Sequence, residues 1–165
     1  MFSRPLKAAV AAAIAGAFSL TAAPAQAVQA APADDPWAAL VPTHAATGKY
    51  AYEPFAPQGG YARTTLCVPH MGYHYVNAQL RDDPAVDPAK PEVLLYEGGS
   101  NAGTRKLVGV EWIVPISATA TAPTLFGRTF FKDTALGVYS LHAWIYKTNP
   151  NGLFEAYNPR VTCPA

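Results

Sequence analysis

Charge is scarce in this chain and nearly balanced: among 165 residues there are 12 Lys or Arg and 11 Asp or Glu. No basic surplus exists to neutralise phosphates, which argues against nucleic acid as a partner and against a membrane surface held by a polybasic patch. Cysteine is as rare, with only Cys67 and Cys163, and their wide spacing leaves no Cys-x-x-Cys redox motif. Only one long apolar run occurs, Ala8 to Leu20, shorter than the roughly 20 residues a bilayer-spanning helix needs. Gly-x-Ser-x-Gly, a phosphate-binding loop, a dinucleotide glycine pattern, heptads and fixed-period repeats are all missing.

What is present begins with a targeting pattern. Arg4 and Lys7 precede the apolar run, and Ala25-Gln26-Ala27 supplies small residues for cleavage, so residues 1–27 read as a signal peptide. Once it is removed, no membrane span is expected, and the protein is secreted or otherwise extracytoplasmic, in periplasm or cell wall. Residues 28–57, rich in Ala and Pro without a steady apolar period, read as a flexible leader. Residues 58–165 then form a single globular domain. In an oxidising compartment an isolated cysteine pair is expected to be a bridge, Cys67 to Cys163, with two buried free thiols as the alternative.

Within the domain, Tyr73–Asn77, Val93–Glu97, Lys106–Val114, Thr124–Phe131 and Val138–Thr148 read as strands. Between them lie Pro/Asp/Gly-rich turns, and a short helix fits Asn77–Leu80 or Pro123–Phe126. The expected fold is α+β or mainly β, a curled antiparallel sheet, half-closed or barrel-like. Alternation along the last strand puts Ser140, His142, Trp144 and Tyr146 on one face and Tyr139, Leu141, Ala143 and Ile145 on the core face. On the same rule Glu111 shares its face with Leu107, Gly109 and Ile113, where a carboxylate needs a partner because an unpaired buried charge is expensive.

These placements suggest a two-histidine, one-carboxylate site for a divalent transition metal: His74, His142 and either Glu97 or Glu111. Met71, three residues before His74, would tilt the choice toward copper. No two of these histidines have a dedicated motif spacing, so the alternative is that they are pocket histidines hydrogen-bonded to Tyr or backbone. Tyr75, Trp112, Trp144, Tyr146 and Asn149 are candidates to line a pocket for a small-molecule ligand. Ser140 beside His142 on one face is too common an arrangement to indicate a nucleophile.

The strings Met71-Gly72-x-His74-Tyr75-Val76-Asn77, Lys90-Pro91-Glu92-x-Leu94-Leu95-Tyr96-Glu97, Leu141-His142-x-Trp144, Asn149-Pro150-x-Gly152-x-Phe154 and Asn158-Pro159-x-Val161-x-Cys163 resemble a group of small exported bacterial proteins of unknown function. The resemblance spans Cys67 to Cys163 and implies one exported domain with no assigned activity. With the further string Gly109-Val110-Glu111, it places His74, Glu97, Glu111, His142 and Asn149 at the polar positions of its motifs. Together these readings point to a binding protein for a small ligand or metal ion. The alternatives are a metal-dependent hydrolase or oxygenase using the same residues, and a structural or envelope-interaction protein.

Overall fold

The computed structural model describes residues 35–99 and 101–164; the signal-peptide segment and the start of the leader lie outside them. Where a flexible leader was expected, residues 36–58 form short helices: α1 (Pro36–Ala39), α2 (Val41–Thr47), a 3-10 turn (Gly48–Ala51) and α3 (Phe55–Gln58). Asp35 caps α1 by accepting a hydrogen bond from the Trp37 amide at 2.9 Å, and prolines occupy the first turns of α1 and α2, where the missing N–H costs nothing. The segment buries only a few residues, among them Leu40 between α1 and α2, Tyr50 and Ala56, and α1 itself buries none. That is why no periodicity marks the segment in the sequence.

Eight strands follow: β1 (Tyr61–Val68), β2 (Gly72–Asn77), β3 (Val93–Glu97), β4 (Lys106–Pro115), β5 (Thr124–Leu125), β6 (Arg128–Thr129), β7 (Phe131–Asp133) and β8 (Val138–Ala143). Six of them make one antiparallel sheet in the order β1-β2-β3-β4-β8-β7, while β5 and β6 form a separate hairpin. The expected strand Thr124–Phe131 is broken by that hairpin because Phe126 and Gly127 both take positive φ, the backbone of a two-residue turn. A short helix, α4 (Ala78–Arg81), does follow β2; Asn77 caps it by accepting from the Gln79 and Leu80 amides.

The sheet is open, since no pairing joins β1 to β7 among the described residues, but it is curled. Flat strands about 4.8 Å apart would hold the two edges about 24 Å from each other, yet β1 and β7 both line one cavity. A tight approach helps set this shape: Gly72 has φ +89, and a Cβ there would fall 2.2 Å from the Tyr96 carbonyl oxygen.

The two faces of the sheet differ in use. One carries Tyr73, Tyr75, Leu94, Tyr96, Val110, Trp112, Tyr139 and Leu141 in a large core that includes Leu40, Tyr50 and Ala56 from the N-terminal helices. Tyr96 donates to the Tyr50 carbonyl at 2.6 Å and the Thr43 hydroxyl to the Pro88 carbonyl at 2.7 Å, fixing the helices in place. The opposite face holds a smaller cluster of Val93, Leu95, Val108, Ile113, Trp144 and Val161, and the remainder of that face is the cavity. The Cys67–Cys163 disulfide is formed, tying edge strand β1 to the C-terminal tail. No helix among the described residues is long and apolar enough to cross a membrane.

Candidate metal centre

Register brings the site together. On β4, Glu111 pairs directly with His142 of β8 and with Val93 of β3, so Glu111 and His142 stand side by side on one face. On β2, His74 pairs with Leu95 of β3 and reaches over β3 to the same carboxylate. His74 Nε2 lies 3.7 Å from Glu111 Oε2 and His142 Nε2 lies 3.5 Å from Glu111 Oε1. One ligand atom from each of the three falls within 4.8 Å of the others. Donors of a tetrahedral zinc ion stand about 3.3 Å apart, so the two Glu111 pairs are near bonding separation, and the widest pair in the set would close by up to about 1.5 Å on an ion.

Burial governs the protonation of the cluster. It pushes the Glu111 carboxyl up to about 7, against the lowering influence of His74 and of the Ser140 hydroxyl. It pushes His142 down to about 4. His74 is also lowered, by burial first, with Glu111 opposing and His142 adding to it. At neutral pH both imidazoles are therefore neutral with a lone pair free to ligate, rather than cationic halves of ion pairs. His142 is buried, its ring stacks on Trp144 at 6.0 Å and 17°, and its Nε2 has no hydrogen-bond partner among the described residues. A buried polar atom in that condition calls for an explanation, and an ion is one of the few available.

Above the triad lies a cavity of about 530 Å³ whose floor includes His74, Glu111, Ser140 and His142, with Met71 also in its lining. Its walls are mostly apolar, from Val68, Val76, Val93, Ile113 and Val138.

Other sequence candidates are placed elsewhere. Glu97 lies on the triad's face of β3 but at the far end of the strand, four residues beyond Glu111's partner Val93, or about 13 Å. Its carboxylate accepts from Lys147 Nζ at 2.6 and 2.5 Å and from the Thr162 amide at 3.3 Å. Tyr75 and Trp112 point into the opposite core, as their adjacency to His74 and Glu111 requires. Trp144 is buried behind His142, its indole N–H donating to the Glu155 carbonyl at 2.6 Å. It keeps the face of His142, as alternation predicts, but is fully buried in the smaller cluster with Val93 and Leu95 and does not line the cavity. The strand itself ends at Ala143, whose carbonyl accepts from the Ile145 amide, and Tyr146 packs on the other core. Tyr146 shares a hydrogen bond with the Thr47 hydroxyl at 2.8 Å. Asn149 accepts from the Asn151 amide and donates to the Tyr157 carbonyl at 3.0 Å, so it shapes the tail beside the cavity. Leu107 leaves Glu111's face because a bulge in β4 opposite Leu95 and Tyr96 inserts one residue.

A second buried carboxyl adjoins the site. Glu92 accepts from the Ile113 amide at 3.0 Å, and burial foremost, with Glu111 nearby, pushes it up from 4.5 to about 7. A raised acid binds its proton more tightly in the fold, so stability falls as pH rises from about 4.5 to about 7, by about 3 kcal/mol. Glu92→Gln keeps an acceptor and removes the charge. Thermal melts should show it more stable than wild type near pH 8 and equal near pH 4.5, whereas the same difference at both pH values would show that no proton is held there. Comparison with known protein families, curated proteins and solved structures finds no match to this chain.

Proposed function

We propose that the chain is an exported metal-binding protein in which His74, Glu111 and His142 hold one divalent transition ion at the floor of the cavity. The observation that carries this reading is the buried Nε2 of His142, unpartnered among the described residues and facing a carboxylate that also faces His74. Two imidazoles and a carboxylate suit zinc or iron(II), with Met71 at the cavity wall as the feature that would admit copper. The disulfide supports export, being at home in an oxidising compartment. The near-balanced charge supports no nucleic-acid partner.

A metal-dependent hydrolase or oxygenase is the second reading, and the opening of the site onto the cavity favours it. Three protein ligands leave a coordination position to which water or a substrate has access. In that case the cavity selects the substrate and the ion activates the water or oxygen species.

Elemental analysis of protein purified after export, without chelator or affinity metal, tests the common core of both readings. The expected result is close to one ion per chain, lost in His74→Ala. His74 is the least buried of the three, so this variant is expected to fold. Added zinc should raise the melting temperature of wild type and leave that of His74→Ala unchanged, since an ion that binds only the native state stabilises it by mass action. Metal-free protein after incubation with zinc, iron(II) and copper overturns the proposal.

A further inference from the structure

Of the eight large apolar side chains exposed among the described residues, four belong to the N-terminal helical segment and the other four gather at one cavity. Leu66 is 73 % exposed, Phe131 66 %, Leu136 76 % and Tyr157 57 %, and all four line the cavity above the triad. They come from four separate places, β1, β7, the β7–β8 turn and the C-terminal tail. Scattered exposed apolar residues are ordinary, but a ring of them around one concavity with a polar floor marks a ligand site. The volume, about 530 Å³, lies in the range of small-molecule pockets.

We infer that this cavity takes an amphiphilic carboxylate, with its head group on the ion held by His74, Glu111 and His142 and its apolar chain between Leu66, Phe131, Leu136 and Tyr157. The inference rests on the metal-binding reading and adds the class of ligand. Its first support is the division of the cavity into an apolar rim and a polar floor, which a wholly polar or wholly apolar molecule would match only in part. Charge supplies the second. A divalent ion and the Glu111 carboxylate leave one net positive charge at the triad, complementary to an anionic head and offset in part by Asp133, which also lines the cavity. Without the ion a carboxylate would face both Glu111 and Asp133. Arg81 also lines the cavity, but its guanidinium is engaged by Asp82 at 2.9 Å on the exposed side of α4, so the floor is the better seat for the head group.

Calorimetric titration of the zinc-loaded protein with decanoate, acetate and decanol tests this. Each buried methylene is worth roughly fourfold in affinity, so decanoate should bind on the order of 100-fold or more tighter than acetate. Decanol, lacking the charge, should bind more weakly than decanoate. In a Phe131→Ser/Leu136→Ser variant, changed only at exposed positions, zinc content should stay as in wild type while the preference for the long chain collapses. Zinc uptake with equal affinity for decanoate and acetate overturns this inference and leaves the metal reading standing. Decanoate binding that survives chelation or His74→Ala but is lost in Arg81→Ala overturns the placement of the head group. Absence of zinc uptake removes the metal reading, and with it the seat proposed for the carboxylate.

Discussion

Replacing Glu53 by alanine is expected to cost the fold about 3–5 kcal/mol, the usual loss when one member of a buried ion pair is removed. Glu53 is buried between the N-terminal helices and the sheet. One carboxylate oxygen accepts from Arg105 Nη1 at 2.8 Å and from the Tyr75 hydroxyl; the other accepts from the Gly103 and Arg105 amides at 2.6 and 3.0 Å. Burial alone would push this carboxyl up, but the hydrogen bonds from Tyr75, Arg105 and Gly103 together hold it below its ordinary value. The Arg105 guanidinium in turn lies over the Tyr73 ring at 4.5 Å. Urea denaturation should show a markedly lower midpoint for Glu53→Ala. The double change Glu53→Leu/Arg105→Met should recover much of the loss, because it removes both charges and keeps apolar volume. A loss below about 1 kcal/mol in the single variant would mean that apolar packing and the Tyr96 and Thr43 hydrogen bonds hold the helices without this ion pair.

Opening the disulfide is expected to have an effect of similar size. Cys67 and Cys163 are separated by 96 positions, and releasing a loop of that length restores roughly 4–5 kcal/mol of chain entropy to the unfolded state. Edge strand β1 makes the loss consequential for function. Most of its side chains are exposed, and its register with β2 is interrupted between Arg63 and Cys67, yet Thr64, Thr65, Leu66 and Val68 form one wall of the cavity. The variant Cys67→Ser/Cys163→Ser should therefore unfold at lower urea than wild type. It should also give up rim-dependent binding more readily than zinc, whose three ligands sit on β2, β4 and β8. Unchanged stability after reduction would show that the β1–β2 pairing needs no staple.

The sequence made the triad legible, and the reason is strand alternation. His142 is centred on a well-marked strand, and Glu111 interrupts an apolar one, so each could be assigned a face without knowing the topology. Glu97 could not be separated from Glu111 on that basis, because both satisfy the same parity. Only register, which puts Val93 rather than Glu97 opposite Glu111, decides between them. Tyr75 and Trp112, taken as pocket candidates, lie in the opposite core, an outcome that the same alternation dictates once His74 and Glu111, their strand neighbours, face the cavity. The place of Tyr146 was not legible, since the turn that ends β8 at Ala143 is a backbone hydrogen bond without a Gly or Pro to announce it. Trp144 keeps the face that alternation gives it, and only its burial in the smaller cluster removes it from the cavity lining. The cavity rim was out of reach for another reason: an exposed Leu136 and a buried Leu141 look alike in sequence, and only the curl of the sheet gives the first one its place. The helices over the core were hidden by their brevity, with Glu53 masked among prolines.

Division of labour between the two faces has a consequence for how the protein tolerates change. Along β4, Val110, Trp112 and Val114 are core while Glu111 and Ile113 face the cavity; along β8, Tyr139, Leu141 and Ala143 are core while Ser140 and His142 face it. Substitution at every position in turn should therefore read out as a two-beat pattern, broken at Ile113, which belongs to the smaller core cluster: one residue whose loss lowers the yield of folded protein, the next whose loss chiefly alters binding. New ligand specificity can then be selected at alternate positions of the same strands, with little of the scaffold's stability drawn into the choice.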